Sequence, residues 1–191
     1  MIKQYPTLGC CGLDCGMCPA YYTDGPSRCP GCGGEDFFEK HPSCSFITCC
    51  VKKRDLEVCA HCEEYPCPKF EGASDGPDVK TTAKRVLQNQ QFIQKFGIDK
   101  LMEQQDLRMG MLRGMLEHYN DGRSKTFYCL AATLLSLDGL NKALTEADQR
   151  VEAEGIGKED LKSRAKILKG ILTRQAGEEG EVLKMRKGKQ S

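Results

Sequence analysis

The sequence predicts a small, irregular, metal-stabilised cysteine-rich segment followed by an all-α helical bundle. The first observation is the position of the cysteines, because all of the 13 except Cys129 lie between Cys10 and Cys67. The second is a change of pattern after residue 78, where apolar residues begin to recur with the spacing of amphipathic helices. No stretch alternates apolar and polar residues over the length that is typical of strands.

Composition divides the chain of 191 residues into four predicted parts. Residues 1–70 form a cysteine-rich metal-binding domain, 71–78 a linker of turn-forming residues, 79–177 the helical bundle and 178–191 a flexible basic tail. The apolar residues of the first part are few and scattered, so hydrophobic burial alone does not account for its folding. A structural zinc ion contributes on the order of 10 kcal/mol in peptides, which is enough to replace the missing core.

Five helices are predicted in the second part of the chain, each from one set of apolar positions. The third helix is apolar almost all round and is therefore expected to be central. Turn-forming residues separate helices at 120–124 and 155–157. The five apolar sets are Val79, Ala83, Val86, Leu87 and Ile93; Ile98, Met102, Met109, Leu112, Leu116 and Tyr119; Phe127, Leu130, Ala131, Leu134 and Leu135; Leu140, Leu144, Ala147 and Val151; and Leu161, Ala165, Leu168 and Leu172.

The sequence also narrows the cellular setting. The first residues lack a basic segment followed by an apolar core, so no signal peptide is expected, and no stretch is long enough to span a bilayer. A cytoplasmic protein is predicted. Because that compartment disfavours stable disulfides, metal thiolates are the leading explanation of the cysteines. The formal net charge of +1 gives no field that would attract nucleic acid or an anionic membrane, so neither is an expected partner.

Three C-x-x-C pairs are the strongest indication of a metal site. Two residues between ligands allow one tight turn to present both thiolates to a tetrahedral metal ion. The stretch CPGCGG at 29–34 resembles a zinc-ribbon knuckle, since its glycines tolerate the positive φ that such a turn requires. The pairs are Cys15 with Cys18, Cys29 with Cys32, and Cys59 with Cys62.

The cysteine spacing allows two all-thiolate zinc sites and leaves the pairing open. The first candidate set is Cys15, Cys18, Cys29 and Cys32, and the second is Cys44, Cys49, Cys59 and Cys62. The cysteines that remain can join either site or form a third, and they are Cys10, Cys11, Cys50 and Cys67. We therefore expect two or three Zn²⁺ ions.

Iron–sulfur ligation is the main alternative to zinc. Cys11, Cys15 and Cys18 have the spacing of the radical S-adenosylmethionine triplet, but the strand–helix units of that enzyme barrel are missing from the pattern. A plain cluster stays open, because the Cys-Pro endings at Cys18 and Cys67 resemble ferredoxin sequences. Such a protein would serve in electron transfer or redox sensing.

Together the motifs resemble a cysteine-rich family of anaerobic bacteria and archaea, a domain of unknown function. The matching stretches are CGLDCGMCPAYY at 11–22, CPGCGG at 29–34, CSFITCCVKKRDLEVCAHCEEYPCPKF at 44–70 and NDGRSKTFYCLAATLL at 120–135. The resemblance implies metal binding and implies no reaction. The expected ligand set that follows from it is Cys11, Cys15, Cys18, Cys29, Cys32, Cys44, Cys49, Cys59, Cys62 and Cys67. Cys10 and Cys50 look like additions to the family pattern.

The sequence favours a non-enzymatic metal-binding module whose zinc-folded segment recognises a protein partner. No Ser-His-Asp set, paired-carboxylate motif or phosphate loop supports catalysis. The alternatives are the iron–sulfur protein and an enzyme with a site at the interface of the two domains. For the enzyme, the candidate residues are Asp121, Arg123 and Lys125, in the polar turn before the central helix.

Overall fold

The computed structural model describes residues 3–40, 44–72, 78 and 81–187 of the chain. Throughout this part the regular structure is helical, and no β-strand is present. Short helical turns occupy the cysteine-rich segment, and five longer helices follow it. The predicted fold class, a cysteine-rich segment followed by a helical bundle, is therefore confirmed.

Short helical turns joined by irregular loops make up the described part of the cysteine-rich segment. They are Cys15–Met17, Pro19–Tyr22, Phe37–Lys40 (α1), Ser45–Ile47 (α2), Thr48–Lys53, Cys59–His61 and Pro68–Phe70. Glycine permits the tight turn at CPGCGG, where Gly31 and Gly33 have φ values of 87° and 69°. A Cβ atom on Gly31 would collide with the carbonyl oxygen of Pro6, so the turn accepts no side chain there.

Two of the three C-x-x-C pairs adopt the same local structure. In each, the N–H of the second cysteine donates to the carbonyl oxygen of the first, over 3.1 Å in the pair that ends at Cys18 and 2.9 Å in the pair that ends at Cys62. The pair that ends at Cys32 differs, because the N–H of Cys32 donates to the carbonyl oxygen of Pro6 at 2.7 Å. That bond ties the CPGCGG turn to the start of the chain.

The five long helices follow in quick succession. They are α3 (Val86–Phe96), α4 (Ile98–His118), α5 (Lys125–Leu134), α6 (Leu137–Ala153) and α7 (Leu161–Glu178). The prediction that Ala83 belongs to the first of them is wrong, since α3 begins at Val86. The N–H of Ala83 instead donates to the carboxylate of Asp78 at 3.0 Å. Val79, where the predicted pattern starts, lies outside the described residues.

The chain forms two compact units. The first unit takes in the described residues within 1–105 and within 185–191, and the second unit takes in 106–184. Helix α4 runs from the first unit into the second. The predicted linker lies mostly outside the described residues, at 73–77, as does the end of the predicted tail, at 188–191. The predicted domain boundaries therefore stay predictions.

The first unit contains two hydrophobic clusters, and α3 contributes to both. The buried members of the larger cluster are Cys10, Cys32, Phe37, Ile47, Cys50, Val51, Cys59, Phe70 and Val86. Those of the smaller cluster are Leu8, Val58, Ala60, Ile93, Leu101 and Met102. Since Val86 and Ile93 lie on α3, this helix packs against the loops that carry the cysteines.

In the second unit, helix α5 is buried over residues 128–134, as expected for a helix that is apolar almost all round. Helices α6 and α7 pack against one another, and α5 contacts α7. The buried side chain of Arg108 donates to the carbonyl oxygens of Ala132 and Leu135, at 2.7 and 2.6 Å. A cation therefore satisfies the carbonyl groups that the end of α5 leaves without partners in the helix.

Candidate metal centre

Three thiols meet in the core of the first unit, those of Cys10, Cys50 and Cys59, which we call the central trio. Their Sγ atoms all lie within 4.8 Å of one another, and the residues are 1 %, 3 % and 9 % exposed. The structure describes all 13 cysteines, and each is a thiol rather than half of a disulfide. Converging cysteine sulfurs are typical metal ligands, so this buried group could hold a metal ion.

Backbone hydrogen bonds bring the central trio together from distant parts of the sequence. The N–H of Cys59 donates to the carbonyl oxygen of Cys10 at 2.8 Å, and Gln90 Nε2 donates to the same oxygen at 2.9 Å. The N–H of Leu56 donates to the carbonyl oxygen of Cys50 at 3.0 Å, and Cys50 Sγ lies 3.4 Å from the carbonyl oxygen of Leu56. Hydrogen bonds within the protein therefore position these sulfurs.

A fourth thiol, that of Cys32, lies in the same buried cluster as the central trio and acts on the pKa of Cys10. Cys32 is 8 % exposed and lies in the CPGCGG turn, which its own N–H bond to Pro6 holds in place. Four thiolates are the ligand number that a tetrahedral structural zinc ion takes.

The four thiols change one another's acidity. Hydrogen bonds from the thiols of Cys10 and Cys59 outweigh burial and lower the pKa of Cys50 to about 4. A hydrogen bond from Cys10 likewise lowers the pKa of Cys32 to about 7. The pKa of Cys10 itself is raised, because its hydrogen bonds to the other three thiols hold its proton. The pKa of Cys59 is raised as well. Thiolate is the form that binds metal, so Cys32 and Cys50 reach that form more readily than an isolated cysteine does, whereas Cys10 and Cys59 hold their protons.

A second group of thiols surrounds Cys15 in the loops of the first unit. Burial and the charges of neighbouring thiols raise the pKa of Cys15 well above its ordinary value. Those neighbours are Cys32, Cys11, Cys18 and Cys29. Burial also raises the pKa of Cys11, to about 12. Several members of the expected ligand set therefore lie in one region.

A third group of thiols lines a cavity of about 30 Å³, which is large enough for one ion or one water molecule. The cysteines that line it are Cys49, Cys50, Cys59, Cys62 and Cys67. Arg54 also lines the cavity and pairs with Glu64 at 2.6 Å. Cys49 and Cys44 also line an open groove next to this cavity, together with two lysines.

The structure brings two members of the expected ligand set, Cys32 and Cys59, together with two cysteines that the set omits. The omitted residues, Cys10 and Cys50, each belong to a Cys-Cys doublet. The other member of the first doublet, Cys11, lies in the group around Cys15, and that of the second, Cys49, lines the cavity. In the sequence, the two Cys-Cys doublets were the only feature that could have indicated these additional ligands. Adjacent residues project their side chains in different directions, so one doublet can serve two neighbouring sites.

A buried polar network, which the sequence pattern did not reveal, ties the long helices to the cysteine loops. The carboxylate of Asp14 accepts hydrogen bonds from Asn89 Nδ2 at 2.9 Å and from Gln105 Nε2 at 2.8 Å. Asn89 Nδ2 also donates to the carbonyl oxygen of Gly12 at 2.8 Å. Because buried polar groups need hydrogen-bond partners, these contacts fix the loop between the first cysteines.

The turn before α5, which the sequence nominated for an enzyme site, is organised by its own hydrogen bonds. The carboxylate of Asp121 accepts from Ser124 Oγ at 2.5 Å and from the N–H of Arg123 at 3.0 Å. These bonds hold the pKa of Asp121 below its ordinary value. The contacts of Asp121 are those of a residue that caps a turn.

Comparison of the chain with protein-family models, with curated proteins and with solved structures finds no match. The resemblance to a cysteine-rich family stays a prediction, and so do the expected protein partner and the cytoplasmic location. Among the helices of the described residues, none combines the length and the apolar character that crossing a membrane requires.

Proposed function

We propose that this chain is a zinc-binding protein whose first unit folds around a Zn²⁺ ion held by Cys10, Cys32, Cys50 and Cys59, the central site. The observation that carries the proposal is the convergence of three buried Sγ atoms within 4.8 Å. A Zn–S bond of about 2.3 Å separates the sulfurs of a tetrahedral site by about 3.8 Å, so small shifts bring the trio to bonding distance. The thiol of Cys32 supplies the fourth ligand, since Cys32 belongs to the same buried cluster and its pKa responds to Cys10.

The close spacing of the sulfurs supports a single ion rather than an iron–sulfur cluster at the central site. In a cluster, iron and sulfide stand between the thiolates and hold them farther apart. Each of the four cysteines is at most 9 % exposed, which leaves little access for a substrate. Four protein ligands and no open position are typical of structural zinc, so the role of the ion is to stabilise the fold.

The proposed ion supplies stability that apolar side chains do not supply in the first unit. Four of the nine buried members of the larger hydrophobic cluster are the thiols of the central site. Zinc contributes about 10 to 16 kcal/mol to the folding of zinc-finger peptides at pH 7. Because a whole domain is stable by only about 5 to 15 kcal/mol, one ion can decide whether this unit folds.

Two flanking ions complete the proposal and take up the rest of the expected ligand set. One would be held by Cys11, Cys15, Cys18 and Cys29, and the other by Cys44, Cys49, Cys62 and Cys67. Support for the first set comes from the thiols around Cys15, and support for the second from the cavity and the groove beside it. Each Cys-Cys doublet would then contribute one ligand to the central site and one to a flanking site.

Removal of single ligands tests the central site. Cys10→Ser and Cys50→Ser each remove one ligand, and Cys129→Ser is the matched control, because Cys129 is a buried cysteine on α5 in the second unit. We expect the two ligand variants to lose about one Zn²⁺ per chain and the control to keep the wild-type content. Zinc is counted by native mass spectrometry and elemental analysis. Equal zinc content in all three variants would rule out the central site.

An iron–sulfur cluster is the second candidate at the cavity, because the sulfurs of Cys49, Cys62 and Cys67 do not converge as closely as those of the central trio. Among the described residues, the central trio is the group whose sulfurs converge within 4.8 Å, and Cys49, Cys62 and Cys67 do not belong to it. Such a cluster would serve electron transfer or redox sensing. Protein purified without oxygen decides between the two. Brown protein with iron and acid-labile sulfide would exclude zinc at the cavity, whereas colourless protein with zinc would exclude the cluster.

A further inference from the structure

Lys3 is a fully buried lysine in the first unit. Its side chain is 0 % exposed, and its ammonium forms an ion pair of 3.0 Å with Glu57 and donates to the carbonyl oxygen of Leu8 at 2.8 Å. Lysine is almost never fully buried unless it is paired, because an ammonium loses several kcal/mol of hydration when it leaves water. Surface solvation therefore does not explain this side chain.

The contacts of Lys3 reach three of the chain segments that carry the central site. Its ammonium bonds Leu8, two residues before the first cysteine of the site. Its N–H donates at 3.1 Å to the carbonyl oxygen of Gly33, the residue directly after Cys32. The two residues are so close that a Cβ atom on Gly33 would lie 2.9 Å from Lys3 Cγ. Its ion pair is with Glu57, two residues before Cys59. The lysine thus lies where the segments of the central site converge.

Lys3 and Glu57 have opposite electrostatic effects on the thiols. Lys3 carries the charge opposite to that of a thiolate, and its contacts with Leu8 and Gly33 hold its side chain beside the segments of Cys10 and Cys32. The carboxylate of Glu57 carries the same sign of charge as a thiolate and acts in the opposite sense, and more weakly, because Glu57 is 21 % exposed whereas Lys3 is fully buried. A Zn²⁺ ion cancels only part of the charge of four thiolates. A loaded central site is therefore anionic, and burial makes a nearby positive charge more effective.

We propose that Lys3 compensates the negative charge of the metal thiolates and thereby raises the affinity of the central site for a divalent metal ion. The inference rests on the proposed zinc site. Lys3 is a positioning residue that acts through its charge and is not a ligand. Glu57 orients the ammonium and at the same time weakens the positive potential at the sulfurs, so neutralising the two partners changes metal affinity in opposite directions.

Neutral variants of the two partners separate charge compensation from a purely structural ion pair. Lys3→Met keeps the apolar stem of the side chain, and Glu57→Gln keeps the shape of the carboxylate. We expect Lys3→Met to weaken Zn²⁺ binding at the central site by about tenfold or more, which is the usual loss for a residue that supports metal ligands. We expect Glu57→Gln to strengthen binding and Lys3→Arg to recover most of the loss. Competition of the full chain with a chromophoric chelator measures the affinities.

A purely structural ion pair would weaken metal binding alike in both neutral variants, and that result would overturn the inference, as would unchanged affinity in Lys3→Met. The double variant Lys3→Met/Glu57→Gln leaves no unpaired buried charge, so it guards against misfolding. Its affinity should stay below that of the wild type, and an equal affinity would also overturn the inference. Wild-type protein that takes up no Zn²⁺ overturns both proposals, whereas a loaded wild type with unaffected variants overturns this one alone.

Discussion

The two units of the chain fill their interiors with different chemistry. In the first unit four of the nine buried members of the larger hydrophobic cluster are thiols, and each of these is at most 9 % exposed. In the second unit the side chains with 0 % exposure include Leu112, Tyr128, Leu140, Leu168 and Leu172. Aliphatic and aromatic side chains stabilise a core because they are removed from water. Clustered thiols contribute most once they are deprotonated and bind a metal ion. On the proposed function, the first unit therefore depends on a bound metal ion for its stability and the second does not.

Local structure follows the same division. Helices α5, α6 and α7 of the second unit have 10, 17 and 18 residues, and their backbone bonds join residues four apart. Turns of three to six residues dominate the first unit, where many bonds join distant residues, such as that from Cys59 to Cys10. A helix with an apolar face is stabilised over its whole length, but a short turn depends on what holds its ends. Loss of a metal ion should therefore affect the first unit far more.

Metal removal is expected to have the largest effect. A chelator under reducing conditions removes the proposed ions and on the order of 10 kcal/mol of stabilisation, so the first unit should unfold. Helices α5 to α7 should persist, because their core needs no ion. Hydrogen exchange followed by mass spectrometry should show loss of protection in 3–72 and retained protection in 125–178. Full protection of both stretches after the metal has left would contradict the comparison.

Opening a cavity in the helical core is expected to have the second largest effect on stability. Leu112 on α4 is 0 % exposed, and Leu112→Ala should lower the free energy of unfolding by about 3 kcal/mol. Leu107→Ala is the matched control on the same helix, since Leu107 is 59 % exposed, and it should change stability by less than about 0.5 kcal/mol. Denaturant titration followed by circular dichroism measures both. Zinc content should be that of the wild type, and a loss of zinc in Leu112→Ala would link the two cores.

An ion pair near the end of the chain should give a smaller, pH-dependent effect. Asp78, whose side chain is 0 % exposed, pairs with Arg186 at 2.7 Å. Burial favours the neutral acid, but hydrogen bonds from Arg186 and from the N–H of Ala83 outweigh it, so the pKa of Asp78 lies below its ordinary value. The pair therefore stabilises the fold above the unfolded pKa of about 3.9, and this contribution is lost as the pH falls through the lower folded pKa.

The variant Asp78→Asn should lower the free energy of unfolding at pH 7 by about 1 to 2 kcal/mol. The difference from the wild type should shrink in acid, because the wild-type carboxyl is then protonated as well. Unfolding curves between pH 7 and about pH 2 measure this difference. A difference that stays constant over the whole range would show that Asp78 acts by packing rather than by charge.

The smallest expected effect is the loss of one helix cap in the second unit. Ser136 Oγ accepts from the N–H of Gly139 at 2.9 Å at the start of α6. Ser136→Ala should lower the free energy of unfolding by about 1 kcal/mol, and Ser136→Thr should keep most of it. Thermal unfolding of both variants gives the comparison. A change in the metal content of either variant would mean that the second unit contributes to metal binding.

The sequence predicted the helices of the second part of the chain, but it placed the start of α3 too early. Apolar periodicity identified α4 to α7, because helix formation is decided by residues three and four positions apart. Ala83 fits the same periodicity, yet the carboxylate of Asp78 accepts the hydrogen bond of its N–H ahead of α3. A hydrogen bond from a side chain can take the place of a helical one, and periodicity does not register it.

The sequence could predict that the candidate site is built from cysteine thiols, but not which cysteines share it. Spacing identified the C-x-x-C turns, and two of these fold alike because the bond that closes each turn is local. Spacing did not identify Cys10 and Cys50, since nothing within a few residues distinguishes one member of a Cys-Cys doublet from the other. Their convergence with Cys59 depends on how loops far apart in the chain pack together.

Local interactions explain what the amino-acid order determined by itself: the helical half, the thiol-rich half and the glycine turn between Cys29 and Cys32. Each of these follows from contacts within a few positions, which composition and periodicity record directly. The tertiary structure decided which thiols share a centre and that Lys3 is buried against Glu57. Those outcomes depend on contacts between residues about fifty positions apart, and the energy of such contacts exists only once the chain has brought the residues together.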